Sequence, residues 1–348
     1  MAKKIGLSDE DILLYIRQHP NQSSTEIYEG FSSLIGFATV KRILSRLKQE
    51  GKVSVIGNAK ASRYFVAPDI DFLLPIDVDQ YFALEIDQRK IRTGFNFDLL
   101  NDLSKLSLFT VNELISLDEL QAKFERNISN LSTLEYKKEF ERLAIDLSWK
   151  SSQIEGNTYT LLETERLLKE QETAVGKKKD EATMLLNHKA ALDFIIDHPN
   201  YVQPLTVSCI EDIHSLLIEN LNVPSNIRNR RVGISGTNYV PLDNEFQIKE
   251  SLTALCILIN SKSNIFEKAL LLILLISYIQ PFADGNKRTA RIMCNAILLH
   301  NRYCPMSFRT VDSIDYKKAM LIFYEQNNIT AFKKIFIQQF EFAVNTYF

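Results

Sequence analysis

The alternation of apolar and polar positions divides the chain into stretches of different period. From Ser8 to Gln49 apolar residues recur at three- and four-residue steps, the spacing of helices that bury one face. Ser8-Asp9-Glu10-Asp11 reads as a helix start, and Ile12, Leu13 and Ile16 give that helix its stripe. Residues 23–28 predict a short second helix. Residues 37–49 predict a third, with Val40, Ile43, Leu44 and Leu47 on one face, a break at Gly36 before it and a stop at Gly51 after it. The period then drops to two over residues 52–56 and 62–66, joined by Gly57-Asn58-Ala59-Lys60, which predicts a hairpin.

Three helices and a hairpin over residues 1–67 resemble a winged helix-turn-helix domain. Pro68 and Pro75 mark a linker over residues 68–90, and residues 91–348 read as a second, mainly α domain. In it Tyr136, Phe140, Leu143 and Leu147 line one face of a helix over about 133–155, which makes Tyr136 and nearby Trp149 core residues. Thr160-x-x-Glu163 is a capping box opening a helix to about 169. Further helices are predicted near 180–198, 206–220, 245–260 and 265–279. The exception is 230–241, where Gly233, Gly236 and alternating Val232, Ile234, Thr237 and Tyr239 predict a second hairpin.

Composition narrows the class. Of 348 residues, 45% are hydrophobic and 24% charged, ordinary for a globular protein, so disorder and a disulfide scaffold are excluded. The net charge of −2 says nothing about partners, but its distribution does. Between Phe37 and Arg63 lie seven basic residues and one acid, Glu50, so this segment is a candidate DNA contact. Cys209, Cys256, Cys294 and Cys304 form no metal-binding spacing and read as buried thiols. The start, Met1 to Gly6, lacks a signal-peptide core, and the longest strictly apolar run, residues 269–276, is too short for a membrane span. A cytoplasmic protein with no membrane contact is expected.

The chemistry concentrates in Gln280-Pro281-Phe282-Ala283-Asp284-Gly285-Asn286-Lys287-Arg288-Thr289-Ala290-Arg291. A strongly apolar helix ends at Pro281, and a second starts near Asn286 and runs to about His300. The first turn of that helix offers free N–H groups and the positive end of its dipole. Lys287, Arg288 and Arg291 add three cations, which opposes the dipole unless an anion is bound. The arrangement suits a polyphosphate, with Asp284 placed to hold Mg²⁺ against it.

This segment resembles the signature of the Fic family, H-x-F-x-[DE]-G-N-[GK]-R-x-x-R, matching at Phe282, Asp284, Gly285, Asn286, Lys287, Arg288 and Arg291. The resemblance implies a helical core that transfers AMP from ATP to a hydroxyl of a target protein or of itself. It assigns Mg²⁺ to Asp284, phosphate binding to Gly285, Asn286, Lys287, Arg288 and Arg291, and a buried anchor to Phe282. Gly236, Thr237, Asn238 and Tyr239 resemble the flap that holds the target. Ser151, Glu155 and Gly156 match the family's inhibitory motif, [ST]-x-x-x-E-[GN], whose glutamate pairs with the arginine here numbered 291 and takes space and charge needed by the γ-phosphate.

One departure dominates. Gln280 stands where the family's general-base histidine is expected, and an amide cannot take the target's proton. Losing a general base costs about 10²–10⁴ in rate. His300 lies at the far end of the next helix, and His214 reads as structural. Lys287, where AMP-transferring relatives often carry glycine, also occurs in relatives resembling the death-on-curing toxins, which transfer phosphate. Two alternatives therefore stand beside an impaired AMP transferase: a phosphotransferase, and a DNA-binding regulator with a nucleotide-sensing core.

Overall fold

The structure, a computed structural model, describes residues 7–348, so the reading of the first six residues lies outside it. The chain forms two compact units. One takes the chain up to Tyr81 together with Asn327–Ala331, and the other comprises Phe82–Gln326 and Phe332–Phe348.

In the first unit α1 (Asp9–Gln18) and α2 (Ser24–Glu29) each open with a reciprocal cap. The Asp11 N–H donates to Ser8 Oγ at 3.1 Å, and the Ser8 N–H donates to Asp11 Oδ2 at 2.8 Å. Ser23 and Glu26 repeat the pattern. α3 (Phe37–Gln49) stops at Glu50, beyond which Gly51 takes a left-handed φ of 71°. β1 (Val53–Ile56) pairs antiparallel with β2 (Arg63–Val66), with Val53 opposite Val66 and Ile56 opposite Arg63. Ile12, Ile16, Ile27, Val40, Leu44, Leu47 and Val53 form the core, so the stripes read from the sequence face inward.

The stretch expected as a plain linker holds α4 (Pro68–Asp71), α5 (Val78–Phe82) and a 3₁₀ turn at Ile86–Gln88. The second unit is helical: α6 (Leu99–Lys105), α7 (Val111–Ser129), α8 (Thr133–Ile154), α9 (Leu161–Glu170), α10 (Lys179–Asp197), α11 (Val207–Ile218), α12 (Glu245–Ser261), α13 (Ile265–Ile279), α14 (Asn286–His300), α15 (Ser313–Gln326) and α16 (Thr330–Thr346). In α13 every residue from Ala269 to Ile279 is buried, because it is apolar all round and enclosed by other helices. Its most extensive partner is α14, so the loop between them is held from both sides.

The hairpin expected over 230–241 is absent: among the described residues the only ladder is β1–β2. The segment is an irregular loop with a turn at Ser235 and Gly236. Its polar groups pair with residues 87–93 instead. Val240 N–H donates to Thr93 O at 2.9 Å, Arg89 Nη2 to Gly236 O at 2.7 Å and Asn238 Nδ2 to Asp87 Oδ1 at 3.3 Å. All four cysteines are buried and free, and among the described residues no helix is long and apolar enough to cross a membrane.

Candidate functional site

The α13–α14 loop is built from its own side chains. α13 ends because Gln280 turns left-handed, at φ 51° and ψ 59°, and Pro281 cannot continue a helix. Gly285 is the N-cap of α14 at φ 81°, and a Cβ there would meet Ile218 Cγ2 at 3.2 Å, so glycine is required twice over. Asn286 staples the loop. Its Oδ1 accepts the Phe282 N–H at 2.9 Å, and its Nδ2 donates to Phe282 O at 2.9 Å and to Gln280 Oε1 at 3.0 Å. Phe282, fully buried, stacks on the His214 ring at 3.6 Å.

His214 is structural, as its sequence context implies. Nε2 lies 2.9 Å from Asp284 O and Nδ1 lies 3.3 Å from Ser225 O. Burial pushes its pKa down to about 4, so the ring is neutral. We place its one proton on Nε2, where the shorter contact is.

Gln280 sits at the base position with both ends of its amide engaged. Nε2 donates to Ser277 O at 2.7 Å, and Oε1 accepts from Asn286. Its backbone is clamped by Arg228, whose Nε donates to Gln280 O at 2.6 Å and whose N–H donates to Pro281 O at 3.0 Å. Arg228 is buried, and nothing in the spacing of Asn226-Ile227-Arg228 marks it as a loop holder.

Arg291 is wholly buried on α14. Its Nε donates to Ser151 Oγ at 2.8 Å, and its Nη2 donates to Ser151 O at 2.9 Å and to Glu155 Oε1 at 3.0 Å. Its Nη1 has no partner, and neither has Nε of equally buried Arg288. Arg288 otherwise donates to Leu217 O at 3.3 Å and faces Asp284 Oδ2 at 3.4 Å. Glu155 caps the C-terminus of α8 and takes a second cation, Lys287, whose Nζ lies 3.2 Å from Oε2. Burial pushes the Glu155 carboxyl up, but Arg291 and Lys287 outweigh it and hold it below the usual carboxylate range. Gly156 follows at φ 99° and frees the chain to leave the helix. Three segments read separately in the sequence therefore meet: Ser151–Gly156, Gln280 and Lys287–Arg291.

Beside them lies a cavity of about 370 Å³ whose walls include Glu155, Gly233, Ser235, Gln280, Lys287 and Tyr324. The Asp284 carboxylate is 66% exposed, accepts the Gly285 N–H through Oδ1 at 2.6 Å, and leaves Oδ2 toward Arg288. One open carboxylate fits Mg²⁺ held mainly by phosphate oxygens. Among the described residues no group of three metal-ligating side chains assembles.

One expectation needs correction. Tyr239 is not on a target-facing surface. It is 2% exposed, stacks on Tyr278 at 4.8 Å and donates its hydroxyl to Tyr278 O at 3.0 Å, because the loop inserts it into the core. Asn238 is exposed but bonded to Asp87. His188 on α10 was not singled out by the sequence. It is fully buried, neither ring nitrogen has a hydrogen-bond partner, and burial with Arg291 and Arg288 nearby keeps it neutral.

Residues 204–298 match the model of the Fic/DOC family, and that segment contains α11 to nearly the end of α14. The architecture agrees with solved Fic structures. A Fic-1 fragment from C. elegans has a TM-score of 0.59 at 16% identity, covering 93% of this chain and 91% of that one. A Fic-domain signalling protein from Bacteroides thetaiotaomicron has a TM-score of 0.55 at 20% identity, covering 66% and 94%. The chain thus has the Fic fold, and its residues 204–298 match the Fic/DOC family model. By sequence it is 27% identical over 208 residues to the protein adenylyltransferase Fic of Nematostella vectensis, 58% of this chain and 48% of that protein. It is 25% identical over 163 residues to the protein adenylyltransferase fic-1 of Caenorhabditis elegans, 44% and 31% respectively. The chain spans about half the length or less of these relatives.

Proposed function

We propose that the second unit is a protein adenylyltransferase core that binds ATP, is restrained by Glu155, and is impaired in transfer by Gln280. The observation that carries this is the pair of buried arginines with orphaned donors. Arg291 Nη1 and Arg288 Nε are cationic N–H groups without hydrogen-bond partners, beside the first turn of a helix, and the Arg291 guanidinium lies over the Tyr316 ring at 5.3 Å. Buried unpaired donors are costly, and a bound phosphate would satisfy them. The names of the sequence relatives supply the reaction class.

In that reaction a target hydroxyl oxygen bonds to the α-phosphorus, the bond to the β-phosphate oxygen breaks, and pyrophosphate leaves. The hydroxyl proton needs an acceptor. The Gln280 amide cannot be that acceptor, and its oxygen is already taken by Asn286. Phosphate charge would fall to Arg288, Arg291 and the α14 N-terminus. Asp284 would hold Mg²⁺, which when bound supplies further charge neutralisation. Glu155 places a carboxylate on Arg291 and Lys287, where the terminal phosphate needs cations. We read this as autoinhibition.

The test compares Gln280→His made together with Glu155→Gly, which lifts the restraint, against Glu155→Gly alone, with ATP labelled at the α-phosphate. Histidine is among the residues that tolerate a left-handed φ, so the substitution suits the backbone. Label on protein should rise about 10²–10⁴-fold. Label arriving only from the γ-position would instead identify a phosphotransferase, the reading that Lys287 alone favours. No protein label from either nucleotide would overturn the proposal.

A further inference from the structure

Thr133, Tyr136, Lys137, Phe140, Glu141 and Ala144 recur along α8 at steps of three, one, three, one and three, so they share one face. Leu143 and Leu147 turn a neighbouring face into the core. The first face borders a second cavity, of about 810 Å³, walled on its other sides by Lys189, Asp193 and Ile196 of α10 and by Leu299 at the end of α14. It shares no wall residue with the cavity beside Gln280.

The cavity is an elongated groove. From Thr133 to Ala144 α8 rises about 16 Å at 1.5 Å per residue. The floor is apolar: Phe140 and Ala144 are buried, and Tyr136, expected in the core, is half-buried and borders the groove. The Tyr136 and Phe140 rings meet at 5.6 Å, and Phe348 backs them at 5.9 and 6.2 Å, so the floor is packed from behind. Charge is confined to the rim. Lys189 is neutralised by Asp193 at 2.6 Å. Among the described residues no acid pairs with Lys137 or Arg302, and both are exposed. They fall toward the same end. Glu155 at the end of α8 meets Arg291 near the start of α14, so the two helices run antiparallel and Arg302, just past α14, lies toward Lys137. Glu141, one turn farther along α8, is the one wall acid without an ion pair among the described residues. Two free cations against one free acid leave an excess of one positive charge.

We propose that this groove binds a medium-chain fatty acid, with the alkyl chain along Tyr136, Phe140 and Ala144 and the carboxylate at the Lys137 and Arg302 end. The volume lies in the range of about 300–1,000 Å³ typical of small-molecule sites. An apolar floor longer than it is polar takes a chain, and a single excess positive charge at one end complements a single carboxylate. Other ligands fit less well. A polyphosphate would be left with most of its charge unmatched. An extended peptide binds by adding to an open backbone edge, and these walls are helices whose backbone groups are already bonded. The proposal does not depend on the reading of the nucleotide site.

The experiment is calorimetry of the full chain with sodium decanoate and, for comparison, uncharged 1-decanol. Decanoate should bind as one molecule per chain, and affinity from octanoate through nonanoate to decanoate should rise about fourfold per methylene. Lys137→Glu with Arg302→Glu reverses both free cations and should weaken decanoate about tenfold while leaving decanol unchanged. Both residues are exposed, so thermal unfolding of the ligand-free variant should match wild type. Decanoate should raise the Tm of wild type, and at the same concentration raise that of the variant less. The proposal is overturned by no binding at millimolar decanoate, by many molecules bound per chain, or by a lowered Tm, which marks detergent action. Equal decanoate affinity in the double variant, or decanol binding wild type as tightly as decanoate does, overturns it as well.

Discussion

In the proposed function Glu155 bears on two states, the free protein and the ATP complex. It compensates a wholly buried arginine, so removing it has two opposite consequences. Without nucleotide, Arg291 loses its carboxylate and keeps the Ser151 hydrogen bonds and the Tyr316 ring, 5.3 Å from its guanidinium, and breaking a buried pair in this way is destabilising. With nucleotide, the same change removes a negative charge from beside the terminal phosphate. Two like charges at about 4 Å repel by roughly 4 kcal/mol at an effective dielectric of 20, and Mg²⁺ and the arginines screen part of it. Glu155→Gly should therefore lower the Tm of the free protein while tightening ATP by about 5–150-fold, a coupling of about 1–3 kcal/mol. ADP, which lacks the displaced phosphate, should gain much less. Calorimetry with both nucleotides, alongside thermal unfolding, separates the two effects, and unchanged ATP affinity would return Glu155 to a purely structural role. His214 makes a pH prediction. Its folded pKa, about 4, lies below the ordinary histidine value, so the unfolded chain binds the extra proton first. Stability is therefore lost as pH falls from about 6.5 toward 4, by about 3 kcal/mol at most. In His214→Gln, an amide that can still donate to Asp284 O does not titrate. Its denaturation midpoint should fall less steeply between pH 7 and pH 4.5 than that of wild type.

At the scale of elements, the α13–α14 loop has its shape because a glycine, an asparagine and a buried phenylalanine fix it before any ligand binds. Gly285→Ala should be costly, since it meets both an unfavourable φ and a contact with Ile218. A loss of about 1–3 kcal/mol in urea unfolding is expected, with weaker nucleotide binding because α14 must shift at its first turn. Helices were legible in the sequence where a stripe, a capping box or a long apolar run stood out. α8, α13 and α14 fall within a residue or two of the periodicity, and Thr160 caps α9 as its capping box implies. The segment 230–241 was not, because alternation alone does not specify a partner. Its apolar positions alternate, but Tyr239 is drawn into the aromatic cluster with Tyr278 and Tyr324, and the backbone bonds to Thr93 rather than to itself. Arg228 and His188 escaped for a related reason. Each acts through tertiary neighbours contributed by distant elements, and neither stands in a spacing that carries a local signal.

Across the whole molecule, the net charge of −2 hides two cationic regions of different burial. Lys41, Arg42 and Lys48 on α3 are exposed, so their attraction to anions is screened by salt over a Debye length of about 8 Å at physiological ionic strength. Arg288 and Arg291 are buried, and interactions inside a site from which water is excluded are screened far less. A salt titration between about 50 and 300 mM should therefore test the buried contact. The ratio of ATP affinities between Glu155→Gly and wild type compares two proteins at the same salt, so the general screening of ATP cancels. What remains is the local term between a partly buried carboxylate and the terminal phosphate, and that ratio should move by no more than about threefold over the same range. A ratio that collapsed with salt would mean that Glu155 acts on ATP as a diffuse surface charge. A ratio that held would tie the restraint to the contact with buried Arg291.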